Sequence, residues 1–154
     1  MTDLTGENMG FKNIVFDYNG TLATDGKIEE RVLDDLKSLS EKYSLFVLTA
    51  DTFGTASEQM SDFSGEVVII PEDRTGSKFK EEFIEKLGPD TVCAVGNGNN
   101  DRLMLRRASL GIAVLGDEGV AGAALKNAEI LVADSRDALN LFLKPRRLKA
   151  TLRK

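Results

Sequence analysis

At 154 residues, with 42% hydrophobic and 29% charged side chains and a net charge of −5, the chain has the make-up of one globular domain able to bury a core. No apolar run approaches the ~20 residues that span a bilayer, so no membrane segment is expected, and the polar, acidic first ten residues lack the basic and apolar parts of a signal peptide. Histidine is absent and Cys93 is the single cysteine; this excludes histidine acid–base chemistry, the usual zinc ligands and an internal disulfide, and predicts a reducing, cytoplasmic setting.

In chain order, short apolar runs alternate with segments of helical period, the pattern of a parallel sheet covered on both faces. Residues 12–17 read as a first strand. Residues 27–42 follow as an amphipathic helix, with Ile28, Val32, Leu36 and Leu39 three or four apart. A strand at 43–49, a helix at 52–63 and a strand at 66–70 ending on Pro71 come next. The helix at 77–87 stops at Gly88-Pro89. Strand 91–96, helix 99–108, strand 110–115, helix 117–127, strand 129–133 and helix 136–143 complete an α/β body at 11–143. Residues 144–154 are a basic tail with six positive charges and no acid, on a remainder of net −11. Such a tail suits nucleic acid, a membrane surface or acidic protein surface; few aromatics are interleaved, which argues against nucleic acid and for its own or a neighbouring subunit's acids.

The strand ends carry the chemistry. The first strand stops at Asp17, followed by Tyr18-Asn19-Gly20-Thr21, and ligands of open α/β sheets bind at the carboxyl ends of strands. Gly20 lets the backbone bend and approach a phosphate. Thr49 ends the second strand, where its hydroxyl and the following backbone N–H groups, beginning at Ala50, suit a phosphoryl oxygen or a helix cap. Lys78 and Lys80 sit in the first turns of a helix, the wrong end for a cation unless an anion is near. The fourth strand ends in Gly96-Asn97-Gly98-Asn99-Asn100-Asp101, which fails as a dinucleotide fingerprint for want of a third glycine.

Together these motifs resemble the haloacid dehalogenase (HAD) superfamily over residues 13–143. Within it, Asp-x-x-Gly-Thr, Pro71-Glu72-Asp73, the lysine helix, Gly-x-Gly-x-Asn-Asp and Leu110-Gly111-Ile112-Ala113 are most similar to the phosphorylation domain of P-type ATPases, here as a free-standing protein. The resemblance implies a three-layer α/β/α Rossmann-like fold and a magnesium-dependent phosphohydrolase. Asp17 would be the nucleophile. The backbone carbonyl of Asn19, with Asp17, Asn97 and Asp101, would hold Mg²⁺ directly or through a second layer. Gly20, Thr21, Thr49, Ala50 and Lys80 would bind phosphate, with Lys78 as the second choice of lysine. Two departures stand out. Asn19 replaces the second Asp that serves phosphatases of the superfamily as general acid/base, and Asn97 replaces a metal-ligating acid, so slow turnover and loose Mg²⁺ are expected. The 27 residues from Leu22 to Leu48 and the segment from Thr49 to Lys80 hold no cap domain, nor the other domains of a pump. The expected partner is a small phosphorylated substrate, and a homo-oligomer, joined through the apolar-basic tail, would cover the open site. The alternative is a catalytically reduced phosphate-binding or regulatory module.

Overall fold

The run Ile14-Val15-Phe16 has no polar side to offer to solvent. The computed structural model, which describes residues 10–52 and 54–154, buries it fully in strand β1 (Asn13–Asp17) inside a six-stranded sheet. The N-terminal residues 1–9, read above as neither signal nor anchor, and Phe53 lie outside the described residues. β2 (Ala23–Thr24) and β3 (Lys27–Ile28) form a separate antiparallel hairpin. The main sheet adds β4 (Ser44–Thr49), β5 (Glu66–Ile69), β6 (Val92–Gly96), β7 (Leu110–Val114) and β8 (Ile130–Val132) in the order β5-β4-β1-β6-β7-β8. Every neighbouring pair is parallel. The chain winds outward from β1 through β4 to β5, then returns to β6 on the other flank. The strand order therefore reverses between β1 and β6, and such a reversal opens a crevice at the carboxyl ends of the strands.

Alternation along β1 divides the core. Ile14 and Phe16 join the layer that contains residues of α1 (Glu30–Leu39), α6 (Ser135–Leu143) and α7 (Pro145–Leu152). Val15 faces the layer of α3 (Gly76–Leu87), α4 (Arg102–Arg107) and α5 (Gly122–Lys126). Each fully buried aliphatic or aromatic side chain contributes ~1.5–3 kcal/mol, and both faces of the sheet carry many. The three-layer α/β/α architecture is as the sequence predicts, and among the described residues the chain between β1 and β4 holds the β2–β3 hairpin and α1.

The boundaries differ where turn chemistry overrides helical period. The first helix begins at Glu30 rather than at residue 27, because Asp25 (φ 52°) and Gly26 (φ 79°) turn the hairpin and Lys27–Ile28 pairs back on Ala23–Thr24. The helix expected at 52–63 is only α2 (Thr55–Gln59): Asp51 adopts a left-handed φ of 48° and spends its carboxylate on the first turn, accepting from the Ala56 and Ser57 amides and the Ser57 hydroxyl. The helix expected at 117–127 starts at Gly122, after a turn with Gly116 and Gly119 at positive φ.

The basic tail is helical. Residues 145–152 form α7, started by Pro145 and anchored by Leu148, which is 2% exposed. Phe142 and Leu148 are thus buried in the core, while Leu141, Leu143 and Leu152 are only partly buried against it. Among the described residues, Lys144, Arg146, Arg147, Arg153 and Lys154 make no ion pair with the acidic body. No described helix is long and apolar enough to cross a membrane.

Candidate active site

Alternation places Asp17 on the Val15 side of the sheet, toward α3. On α3 the inward stripe is Ser77, Lys80 and Ile84, three and four residues apart, so Lys80 enters the core while Lys78 points to solvent. Lys80 Nζ donates to Asp17 Oδ1 at 2.8 Å and to Asp101 Oδ1 at 2.7 Å. The three groups are 1%, 8% and 0% exposed for Lys80, Asp17 and Asp101, which makes them a buried cluster with two carboxylates and one cation. Lys78 pairs instead with Glu81 at 3.4 Å on the surface.

Asp101 owes its place to the loop after β6. Its Oδ2 accepts from the Asn97 and Gly98 amides at 2.9 and 3.0 Å, so both oxygens are occupied and it fixes the loop and Lys80 together. A Cβ at Gly96 would stand 2.6 Å from that carboxylate, the reason this strand ends in glycine. The two loops meet just as closely: Gly20 has φ 77°, and a Cβ there would lie 2.2 Å from Asn97 Nδ2. Thr21 Oγ1 lies between them, 3.5 Å from Asp17 Oδ2 and 3.2 Å from Asn97 Oδ1, while Asn97 Nδ2 donates to the Gly119 carbonyl at 3.3 Å.

Over this floor opens a cavity of about 850 Å³. Asp17, Asn19, Thr49, Ala50, Lys80 and Asn97 all line it. Thr49 is buried and its hydroxyl accepts from the Asp51 amide at 3.1 Å. Gly20 and Thr21 sit behind the lining: the Gly20 amide donates to Ala23 O at 2.8 Å and the Thr21 amide to Tyr18 O at 3.2 Å, so neither is turned to the cavity. Sequence reasoning missed Tyr18, Asp25 and Arg74, which also line it. Arg74 is held on α3 by Glu82 and by the face of Phe79, 5.5 Å away. The Asp25-Gly26 pair, a strong hairpin signal, was the clue to the second of these.

Burial pushes the Asp17 carboxyl up to about 7, aided by the charge of Asp101 and opposed by Lys80. Burial would lower the Lys80 ammonium, but the two carboxylates outweigh it and hold the lysine charged. Tyr18, raised to about 12 by burial and then by Asp51, stays a neutral donor. The cluster thus sets two carboxyl groups against one ammonium. Among the described residues no group of three or more His, Cys, Asp or Glu side chains could hold a metal. The oxygens of Asp17 and Asn97 that converge on Thr21 are hard donors with one formal charge, a set that suits a hard cation retaining much of its water.

No protein-family model matches the chain. It is 46% identical over 76 residues to the uncharacterized protein MJ0073 of Methanocaldococcus jannaschii, a match that spans 49% of this chain and 82% of that protein. A second protein of that organism, uncharacterized protein MJ0072, is 51% identical over 39 residues, 25% of this chain and 89% of its own length. Solved structures share the fold at low identity. A putative 3-deoxy-D-manno-octulosonate 8-phosphate phosphatase of Vibrio cholerae superposes with a TM-score of 0.73 at 14% identity, covering 94% of this chain and 89% of that one. The cobalt-bound octulosonate 8-phosphate phosphatase of Haemophilus influenzae gives 0.71 at 12%, covering 97% and 95%. The Moraxella catarrhalis enzyme, in complex with magnesium, phosphate and KDO, gives 0.67 at 17%, covering 97% of each chain. By its identity to most of MJ0073 the chain belongs to the family of that protein, and it is built on the fold of the HAD hydrolases.

Proposed function

We propose that the chain is a magnesium-dependent phosphohydrolase of the HAD type, acting through an aspartyl-phosphate on Asp17, and a slow one. The observation that carries this reading is the Asp17 carboxylate at the strand-order reversal, one oxygen fixed by Lys80, on the floor of the cavity. The order of motifs, most similar to P-type phosphorylation domains, supports the same reading, as do the phosphatases that share the fold.

In the first step an Asp17 oxygen bonds to phosphorus while the leaving oxygen departs with its electron pair and takes any proton it needs from water. In the second, water attacks the phosphorus, its proton passes to solvent, the bond to Asp17 breaks, and inorganic phosphate leaves. Lys80 offsets charge on the phosphoryl group and keeps Asp17 in place, Thr49 and the Ala50 amide receive a phosphoryl oxygen, and Asp101 positions Lys80. Gly20 and Thr21 act from behind, shaping the loop. Asp17, Asn97 and the Asn19 carbonyl would hold the metal, and Asp101 would support it through the loop rather than by contact. Magnesium, when bound, supplies Lewis-acid neutralisation of the phosphoryl oxygens. An amide at Asn19 cannot relay a proton, which withholds a factor of roughly 10²–10⁴.

Release of phosphate from acetyl phosphate with Mg²⁺, abolished in Asp17→Asn, tests the reading; turnover that survives this substitution would refute it. The two amides, Asn19 and Asn97, where catalysis and metal binding favour acids, support a second reading, a phosphate-binding or regulatory module. Phosphate binding without turnover would favour it. A homo-oligomer belongs to the enzyme reading, because the site has no cap. Among the described residues the exposed Ile69, Leu115, Leu125 and Leu131, with the partly buried Leu141, Leu143 and Leu152 of the tail, are available for a contact, and light scattering at high concentration would show a monomer if this is wrong.

A further inference from the structure

The chain leaves β5 at Ile69 and enters α3 at Gly76 through Ile70-Pro71-Glu72-Asp73-Arg74-Thr75. The Pro71 carbonyl accepts from the Arg74 amide at 3.1 Å, and Ile70, Pro71, Glu72 and Arg74 line the cavity from this side. β5 stands two strands from β1 in the sheet, about 10 Å at the usual strand spacing, so the loop lies well to one side of Asp17. Two different contacts hold the Arg74 side chain. Its Nη2 donates to Glu82 Oε2, and its guanidinium carbon lies 5.5 Å from the centre of the Phe79 ring. Both partners belong to α3.

We propose that Arg74 binds a second anionic group of the substrate, which is then a phosphate ester that also carries a carboxylate or a further phosphate. The inference rests on the phosphohydrolase reading above and names its substrate class. Among the described residues that line the cavity, Lys80 and Arg74 are the cations. Lys80 is 1% exposed and engaged with Asp17 and Asp101 on the floor, where the reacting phosphoryl group belongs. Arg74 stands exposed at the rim. Its pair with Glu82 is open to water, the side chains being 39% and 54% exposed, and an ion pair of that kind contributes little to stability. What the carboxylate and the ring do is orient the guanidinium. Its five N–H donors form a planar fork, and one carboxylate takes at most two of them, which leaves a face of the fork for a carboxylate or phosphate of the substrate. Asp25 and Glu72, exposed elsewhere in the lining, repel such a group, so Arg74 also decides which way the substrate lies. The offset of two strands places the second group several bonds from phosphorus.

The test uses alkylphosphonates, which lack a leaving oxygen, so that binding is read without turnover. Calorimetric titration with Mg²⁺ compares butylphosphonate, ω-phosphonobutanoate and butane-α,ω-diphosphonate on the wild type, Arg74→Gln and Arg74→Lys. The wild type is expected to bind one or both of the doubly anionic ligands about 10-fold more tightly than butylphosphonate, within the range of a charge-assisted hydrogen bond near solvent. The tighter of the two identifies the second group as carboxylate or phosphate. Arg74→Gln is expected to bring all three ligands within about 2-fold of one another, and Arg74→Lys to recover only part of the gain, because an ammonium keeps the charge without the fork. Butylphosphonate affinity is expected to stay within about 2-fold in all three proteins, since the floor is untouched. No gain from the second anion in the wild type, or a gain that persists in Arg74→Gln, overturns the inference and leaves the phosphohydrolase reading standing. A wild type that binds none of the three ligands would overturn both.

Discussion

The floor and the roof of the cavity are built in opposite ways. On the floor, Lys80, Asp17 and Asp101 are buried and joined by bonds of 2.7–2.8 Å, with the loop amides of Asn97 and Gly98 completing Asp101. At the roof, the hairpin meets its supports through single bonds of 2.9–3.2 Å, two of them at its flanks from polar side chains. A buried ionic cluster tolerates no loss of a member, because the charge left behind has no water to turn to. A hairpin held by isolated bonds near solvent loses little when one is cut. The floor is therefore held as one unit, and the roof rests on bonds that can be lost one at a time.

Breaking the floor gives the largest effect. Lys80→Met leaves two buried carboxylates facing each other and is expected to lower stability by about 3–5 kcal/mol in urea unfolding, whereas Lys78→Ala, two residues away but at the surface, should fall within about 0.5 kcal/mol. Comparable losses for both would mean that Lys80 is not the buried keystone described here. Adding the missing acid sharpens the floor: Asn19→Asp should raise steady-state turnover by ~10-fold or more, within what a general acid/base supplies. A change below 2-fold would show that proton relay does not limit the rate. At the roof, Tyr18→Phe removes only the bond to Gly26 and should cost about 1 kcal/mol of stability; a loss as large as that of Lys80→Met would erase the contrast between the two regions. The mildest change lies between them. Asn97→Asp should lower the Mg²⁺ concentration for half-maximal activity several-fold by restoring a charge, although it gives up the donor to Gly119 O. Equal Mg²⁺ dependence in both proteins would place Asn97 away from the metal.

The same contrast explains what could be read in the sequence. Floor residues stand at the ends of strongly apolar strands or on an amphipathic stripe. Asp17, Thr49 and Asn97 were legible as strand-end groups, and the spacing of Lys80 to Ile84 separates it from Lys78. Roof residues carry no such pattern. Gln59 and Glu118 work through a single polar contact with a segment 31 or 93 residues away in sequence, which neither period nor composition can reveal. Helical period also ran on through residues 27–29, where Asp25-Gly26 had already committed the chain to a hairpin. The helix of the basic tail was not legible because its anchor, Leu148, is one buried residue among cations.

The central claim is that Asp17 takes up phosphorus and, with Asn19 beside it, gives it up slowly. The most direct measurement is intact mass after mixing the protein with acetyl phosphate and Mg²⁺, followed by peptide mapping. A covalent phosphoryl adduct on the peptide containing Asp17, absent from Asp17→Asn and short-lived in Asn19→Asp, is the predicted result. An unmodified wild-type protein that nonetheless binds phosphate would contradict it.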